Sequence, residues 1–289
     1  MEVLPLAADS MGTRSMATLV RTDDLVVLID PGVALAPRRY GLPPHPLEIL
    51  RMEEHREAII QASEEADVLV VTHYHYDHHM PDVPEIFEGK VALIKHPTEN
   101  INRSQRGRAA YFLGALKNLP RRLEAADGRE FRFGRTRLAF SKAVYHGTGP
   151  RLGYVIEVCV ECDGEKFVFT SDVEGPALED QVEFILAEQP ELVYVDGPMT
   201  YMLGFRYSAR SLQASVENLI RVLEAGAQTL VVDHHFLRDL KYKERIAPVY
   251  EAAREHGARV ITAAEFAGKP VEMLEAHRKD LYQESPSNP

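Results

Sequence analysis

An α/β fold is predicted for this chain of 289 residues by two observations: short apolar strands alternate with charged, helix-compatible stretches, and the strands repeatedly end in histidine or aspartate. A third observation locates the working edge of that fold. The run Thr72-His73-Tyr74-His75-Tyr76-Asp77-His78-His79 directly follows the apolar strand Asp67-Val68-Leu69-Val70-Val71 and places five metal-capable side chains within seven residues.

The first elements are short strands, Val3-Leu6, Ala17-Arg21 and Leu25-Ile29, with Thr22-Asp23-Asp24 as a hairpin turn between the last two. Asp30-Pro31-Gly32 ends the third strand abruptly, and a Pro- and Gly-rich loop follows to Pro46. The apolar positions Leu47, Leu50, Ala58, Ile59 and Ala62 amid charges predict a helix over 46–65, leading into the strand with the histidine cluster. Residues 81–130 read as an inserted or embellished segment: a strand at Val91-Ile94, a polar stretch from Lys95 to Arg108 with arginines at 103, 106 and 108, and a helix from Ala109 toward Leu119. The arginines suit phosphate through guanidinium forks, and equally suit a solvated loop.

In the second half, strands lead to His146, to Asp172 after Lys166-Ser171, to Asp196 after Leu192-Val195, and to Asp233-His234-His235 after Thr229-Val232. Helices are expected over 178–188, 208–225 and 246–256, with a final strand at Arg259-Thr262. The tail 284–289 is expected to be disordered. Taken singly, His146 reads as a turn cap and Asp172 as a helix cap. The cluster at 73–78 demands ligands from elsewhere, which favours the metal role for both.

Composition narrows the class. Hydrophobic content of 45% is ordinary for a folded protein with a substantial core. No apolar run approaches the roughly 18–20 residues of a membrane span, and Met1-Glu2-Val3-Leu4-Pro5 lacks a secretory signal, so the expected compartment is the cytoplasm. The net charge of −11 argues against a general nucleic-acid coat protein but leaves a nucleic-acid enzyme open. A bound metal pair adds about four positive charges where the substrate sits. Cys159 and Cys162 have the spacing of half a zinc knuckle without a second pair, and read as structural or weakly redox-active.

Borderline divalent cations prefer imidazole nitrogen and carboxylate oxygen, so the cluster predicts metal binding. A surface histidine tract or tag is the bland alternative, and the place of the run after a buried strand, away from the termini, argues against it. In extended chain His73 and His75 project to one side and can share an ion, while a turn into helix swings Asp77 and His78 toward a second.

The ordered set of Asp30-Pro31-Gly32, His73-x-His75-x-Asp77-His78, His146, Asp172 and a late histidine resembles the metallo-β-lactamase superfold of metallohydrolases, over nearly the whole chain. The resemblance implies a single domain over 1–289, built as a four-layer αβ/βα sandwich with a dinuclear site at one edge of its sheets. It implies that His73, His75 and His146 hold one ion, that Asp77, His78 and His234 hold the other, and that Asp172 bridges both. His234 is preferred to His235 because Arg238 then falls four residues later. The ions are expected to be zinc, with iron or manganese as alternatives, since no glutamate replaces the second histidine as in diiron relatives.

Two such cations, about 3.5–4 Å apart, make a bridging hydroxide available as nucleophile near neutral pH. Asp77 is expected to orient that nucleophile as well as ligate, and Asp196 to relay protons. The arginines at 103–108 and the motif Tyr40-Gly41-Leu42-Pro43-Pro44-His45-Pro46 lie outside the common core and resemble an archaeal branch of the superfamily. The leading expectation is hydrolysis of phosphodiesters or related phosphoesters, on small molecules or nucleic acid, with promiscuity toward other esters left open. A lactonase or thioesterase on the same site is the alternative, and a non-catalytic metal-binding scaffold is the alternative of another class. No membrane partner is expected, and a homo-oligomer is left open.

Overall fold

Runs of valine, leucine and isoleucine set the strands, and in the computed structural model, which describes residues 1–284, they assemble into two large sheets and one two-stranded pair. The first sheet is laid down in chain order: β1 (Glu2–Pro5), β2 (Thr18–Arg21), β3 (Val26–Ile29), β4 (Val68–Val71), β5 (Val91–Ile94) and β6 (Arg122–Ala125). Its β1 to β3 are antiparallel, and β3 to β6 are parallel.

The second sheet takes β7 (Glu130–Phe133) and β8 (Thr136–Phe140), and then, after the small pair β9 (Val144–Tyr145) and β10 (Tyr154–Val155), it adds β11 (Val158–Cys162), β12 (Glu165–Phe169), β13 (Leu192–Asp196), β14 (Thr229–Asp233) and β15 (Arg259–Ile261). Its order is β15-β14-β13-β12-β11-β8-β7, parallel from β12 to β15. The helices are α1 (Pro46–Glu65), α2 (Arg103–Leu116), α3 (Glu179–Glu188), α4 (Ala209–Glu224), α5 (Tyr242–Arg245), α6 (Ala247–Glu255), α7 (Ala263–Phe266) and α8 (Arg278–Glu284).

Side chains alternate along a strand, so each sheet has two apolar faces to cover. Val27, Ile29, Val68 and Val70 of the first sheet meet Phe140, Val158, Val160, Phe167 and Phe169 of the second in a shared core between the sheets. The opposite face of the first sheet, with Leu28, Leu69, Val71 and Ala92, packs on Ile59 and Ala62 of α1 and on Ala109, Phe112 and Leu116 of α2. The outer face of the second sheet, with Val168, Val193, Val195 and Val232, packs on α3, α4 and α6 through Ile185, Leu219 and Val249. Three cores between four layers make an αβ/βα sandwich, as expected. Each fully buried aliphatic side chain contributes about 1.5–3 kcal/mol.

Local chemistry fixes the helix starts. Pro46 occupies the first turn of α1, His45 accepts from the Leu47 N–H at 3.2 Å, and Glu48 accepts from the His45 N–H at 2.8 Å, a reciprocal cap that sets the predicted boundary. Residues 103–108, predicted as a loop, are instead the first turns of α2, because Asn102 caps it by accepting from the Gln105 N–H at 2.8 Å. The segment 81–130 contains β5 and β6 of the first sheet.

Within the expected tail 284–289, Glu284 ends α8, and the rest lies outside the described residues. Both cysteines are free and buried, and burial pushes the Cys159 thiol well up. Among the described residues no helix is long and apolar enough to cross a membrane.

Parallel strands point their carboxyl ends the same way. In the first sheet those ends are Asp30 after β3 and Thr72-His73 after β4. In the second they are Asp172 just beyond β12, Asp196 on β13, and Asp233 on β14 with His234 directly after it. The cleft at these ends is where such sheets present chemistry.

Candidate metal centre

Asp30 is the brace from which the site is built. It takes a left-handed backbone, φ 49°, and turns its buried carboxylate back on the end of β4, accepting from Thr72 N–H at 2.7 Å, from Thr72 Oγ1 at 2.6 Å and from His78 Nδ1 at 2.8 Å. Thr72 Oγ1 also meets Ser171 Oγ at 2.6 Å, tying the two sheets together just beneath the cluster. Gly32 lets the next strands of backbone close up. A Cβ there would overlap the backbone of His78 and His79, so only glycine fits.

Asp172 stands at the centre. Its Oδ2 lies 3.5 Å from His73 Nε2 and 3.1 Å from His146 Nε2, while its Oδ1 lies 3.0 Å from His78 Nε2 and 3.4 Å from His234 Nε2. His75 joins the first set, with its ring 4.8 Å from that of His146. Asp77 joins the second, with Oδ2 3.8 Å from His234 Nε2 and Oδ1 4.0 Å from His78 Nε2. In each of the two groups, His73-His75-His146-Asp172 and Asp77-His78-His234, the donor atoms lie within 4.8 Å of one another. One carboxylate thus faces two separate sets of donors, and all seven expected ligands are brought together.

Three of the imidazoles are held from behind by a hydrogen bond, and a fourth has a carboxylate close by. Nδ1 of His78 is held by Asp30, Nδ1 of His234 by Asp9 at 2.8 Å, and Nδ1 of His73 meets Ser171 Oγ at 3.2 Å. His146 Nδ1 has Glu174 Oε1 3.5 Å away. Partners on one ring nitrogen fix the tautomer and leave the other to face inward. Asp9 and Glu174 escaped the sequence reading. Asp9 sits in a 3-10 turn, Asp9–Met11, that carries no periodicity, and Glu174 follows a strand end where Asp172 had already taken the attention.

The extra histidines separate cleanly. His79 donates from Nδ1 to His75 O over 2.8 Å and packs against Phe112 at 4.9 Å between ring centres, away from the cluster. His235 lines the cleft, and its Nδ1 lies 3.0 Å from Asp196 Oδ2. His234 is the histidine that faces Asp77, and both His234 and His235 lie within reach of Asp172.

The donors fit a cation pair. Nε2 of His73 and His78 and Oδ1 of Asp172 are buried without a hydrogen-bond partner, the His78–Asp172 approach being close but lacking hydrogen-bond geometry. Unpaired buried groups of this kind are costly unless an ion satisfies them. The titration of the site carries the same message. Burial opposes charge on His78 and His146, yet Asp172 with Asp30, and Asp172 with Glu174, raise each to about 10. Burial lowers His73, and lowers His75 to about 3. Burial also works against the Asp172 carboxylate, but the charges of His78, His234 and His73 outweigh it and hold its pKa well down. The cavity calls for positive charge beside its carboxylates.

Above the donors lies a cleft of about 480 Å³, lined by Arg14, Arg108, Arg206, Arg238, Tyr76 and Met199 among others. Of the three arginines expected to shape the pocket only Arg108 does so, its guanidinium 5.3 Å from the Tyr76 ring centre. Arg103 and Arg106 project from the exposed side of α2. The Tyr40–Pro46 motif does not line the cleft. It packs on the C-terminal segment instead, with Tyr40 donating to Ala276 O at 3.1 Å and Tyr282 donating to Pro44 O at 3.2 Å.

The family model described as the metallo-beta-lactamase superfamily matches residues 12–234. A UPF0282 protein of Korarchaeum cryptofilum is 56% identical, covering 98% of this chain and 95% of that protein. A second, from Sulfurisphaera tokodaii, is 47% identical with 98% and 93% covered. Among solved structures, isothiocyanate hydrolase from Delia radicum gut bacteria superposes with a TM-score of 0.53 at 16% identity, covering 87% of this chain and 94% of that one. Unliganded yeast PDE1 superposes with a TM-score of 0.53 at 14% identity, covering 90% and 96%. At such identities the structural likeness speaks for the fold.

Proposed function

Since the chain belongs to the metallo-beta-lactamase superfamily and to the UPF0282 proteins, we propose that it is a dinuclear metal-dependent hydrolase of phosphodiesters or related phosphoesters. The observation that carries this reading is the division of Asp172, one oxygen toward His73 and His146 and the other toward His78 and His234. His73, His75 and His146 would hold one ion and Asp77, His78 and His234 the other, with Asp172 between them; zinc suits this donor set best. Such a pair supplies a water of lowered pKa and stabilises charge on the electrophile and leaving group.

The chain's own residues do the rest. Asp77, at the cleft, orients the attacking water. Asp196 is buried, burial together with the Asp172 charge pushes its pKa well up, and its Oδ2 lies 3.0 Å from His235 Nδ1 at the cleft, a pair suited to proton relay toward the leaving oxygen. Arg108 and Arg206 line the cleft and make no ion pair among the described residues, which leaves their guanidiniums for an anionic substrate. Leu35, Leu152 and Met199 in the same lining favour the second reading, a lactonase or thioesterase. The unpaired arginines weigh against it.

The test is a side-by-side assay of the metal-loaded chain on a phosphodiester, a phosphomonoester, RNA, a lactone and a thioester. Turnover of a phosphoester, lost on chelation and in His75→Ala, is expected. Lactone turnover with every phosphoester untouched would overturn the reading, and full activity of His75→Ala would overturn the metal site.

A further inference from the structure

The main cleft continues into a side lobe of about 310 Å³ that shares His146, Leu152, Glu174, Met199 and Arg206 with it and adds Phe205 and Arg151. The two together fall in the range of roughly 300–1,000 Å³ that accommodates a small organic ligand, more than a phosphate alone needs. Phe205 is 78% exposed, the most exposed large hydrophobic side chain among the described residues.

A lone exposed aromatic is ordinary on a slack loop. This one sits on a pinned turn. The N–H groups of Phe205 and Arg206 both donate to Met202 O at 3.0 Å, and Gly204, at φ +83°, donates to Tyr207 O at 2.9 Å. Tyr207 is buried and anchors the turn to the start of α4, its hydroxyl 2.6 Å from Ser215 Oγ. The loop after His146, which also lines the lobe, is fastened by Gly153 N–H donating to Pro150 O at 3.1 Å and by Asn102 Nδ2 donating to Arg151 O at 3.0 Å.

The lobe therefore offers a phenyl ring carried on a pinned turn, two aliphatic neighbours, Leu152 and Met199, and two guanidiniums, Arg151 and Arg206, without carboxylate partners among the described residues. Phenyl and guanidinium planes both stack on flat π systems, whereas an aliphatic acyl chain gains nothing from the guanidiniums. The geometry points to a side lobe that takes a planar aromatic arm, a nucleobase or aryl group, carried by the phosphoester whose phosphate lies over the histidines. This deepens the phosphoester reading and rests on it for the phosphate end.

Calorimetric titration of the full, zinc-loaded chain with adenosine 5′-monophosphate, phenyl phosphate, methyl phosphate, inorganic phosphate and adenosine tests it. Both aromatic phosphates should bind about tenfold or more tightly than methyl phosphate. Phe205→Ala should erase most of that margin and Phe205→Tyr should keep it, with inorganic phosphate unchanged in both. The exposed position leaves the unfolding midpoint of either variant where it was. Equal binding of methyl phosphate and the aromatic phosphates, or a margin untouched in Phe205→Ala, overturns the assignment. Failure of inorganic and methyl phosphate to bind at all sinks the phosphoester reading instead. Adenosine binding that depends on Phe205 would then still support the lobe, and its absence would overturn both.

Discussion

Asp9 and His234, 225 residues apart in the chain, meet through a 2.8 Å hydrogen bond between carboxylate and Nδ1, and the same carboxylate accepts from Arg238 Nε at 2.8 Å. The first turn of the chain thus aims the last expected ligand. Asp9→Asn keeps the shape and removes the charge that holds His234. It should weaken binding of the ion at Asp77, His78 and His234 by about 10–100-fold while sparing the other. A competition titration against a chromophoric chelator, in which the two binding steps move apart, checks this; unchanged affinities for both ions would refute it.

Gly32 lies against the backbone of His78 and His79 with no room for a methyl group. Gly32→Ala should push the histidine turn outward, costing about 3 kcal/mol or more in stability and at least one ion. Urea unfolding together with metal content by elemental analysis reads both effects, and a folded variant holding two ions would contradict the account.

Arg108 and Arg206 line the cleft, whereas Arg103 and Arg106 do not. Single alanine variants of the first two should raise KM for anionic substrates about tenfold or more each, with a smaller effect on kcat. Alanine at 103 or 106 should leave both constants where they are. Steady-state kinetics on one phosphoester at fixed ionic strength decides between the pairs.

Arg14 donates to Glu275 through Nε at 2.6 Å and Nη2 at 2.8 Å, a forked pair at the wall of the cleft. Burial works against the Glu275 carboxylate, but Arg14, with Arg238 and Arg39 near, carries its pKa down from 4.5 to about 2. A depressed carboxylate stabilises the fold above its unfolded pKa and loses that contribution as pH falls toward the folded value. Stability on the order of 3 kcal/mol should therefore drain away between about pH 4.5 and 2. Glu275→Gln should lower stability at neutral pH and flatten that limb, measured by urea unfolding across the acid range. An unchanged limb would contradict it.

The sandwich and most of the site were legible because apolar strands stop at the residues that matter. β4 runs into His73, β12 into Asp172 and β14 into His234, and α1 begins at a proline preceded by a cap. What hid was whatever carries no apolar period. Gly107 and three arginines masked the opening turns of α2, and the charged faces of β6 and β7 masked two sheet strands. Asp9 and Glu174 reach the site through histidines far away in sequence, so no local pattern announces them.

The ligands divide between the two halves of the sandwich. His73, His75, Asp77 and His78 leave the first sheet, Asp172 and His234 follow strands of the second, and His146 follows the small β9–β10 pair inserted between β8 and β11 of that second half. Neither half holds a complete donor set, so an ion is a clasp that closes only when the halves have mated in register. Retention of an ion held by this donor set would then gauge correct assembly as much as chemistry, and its loss would announce a parted interface before any helix had melted.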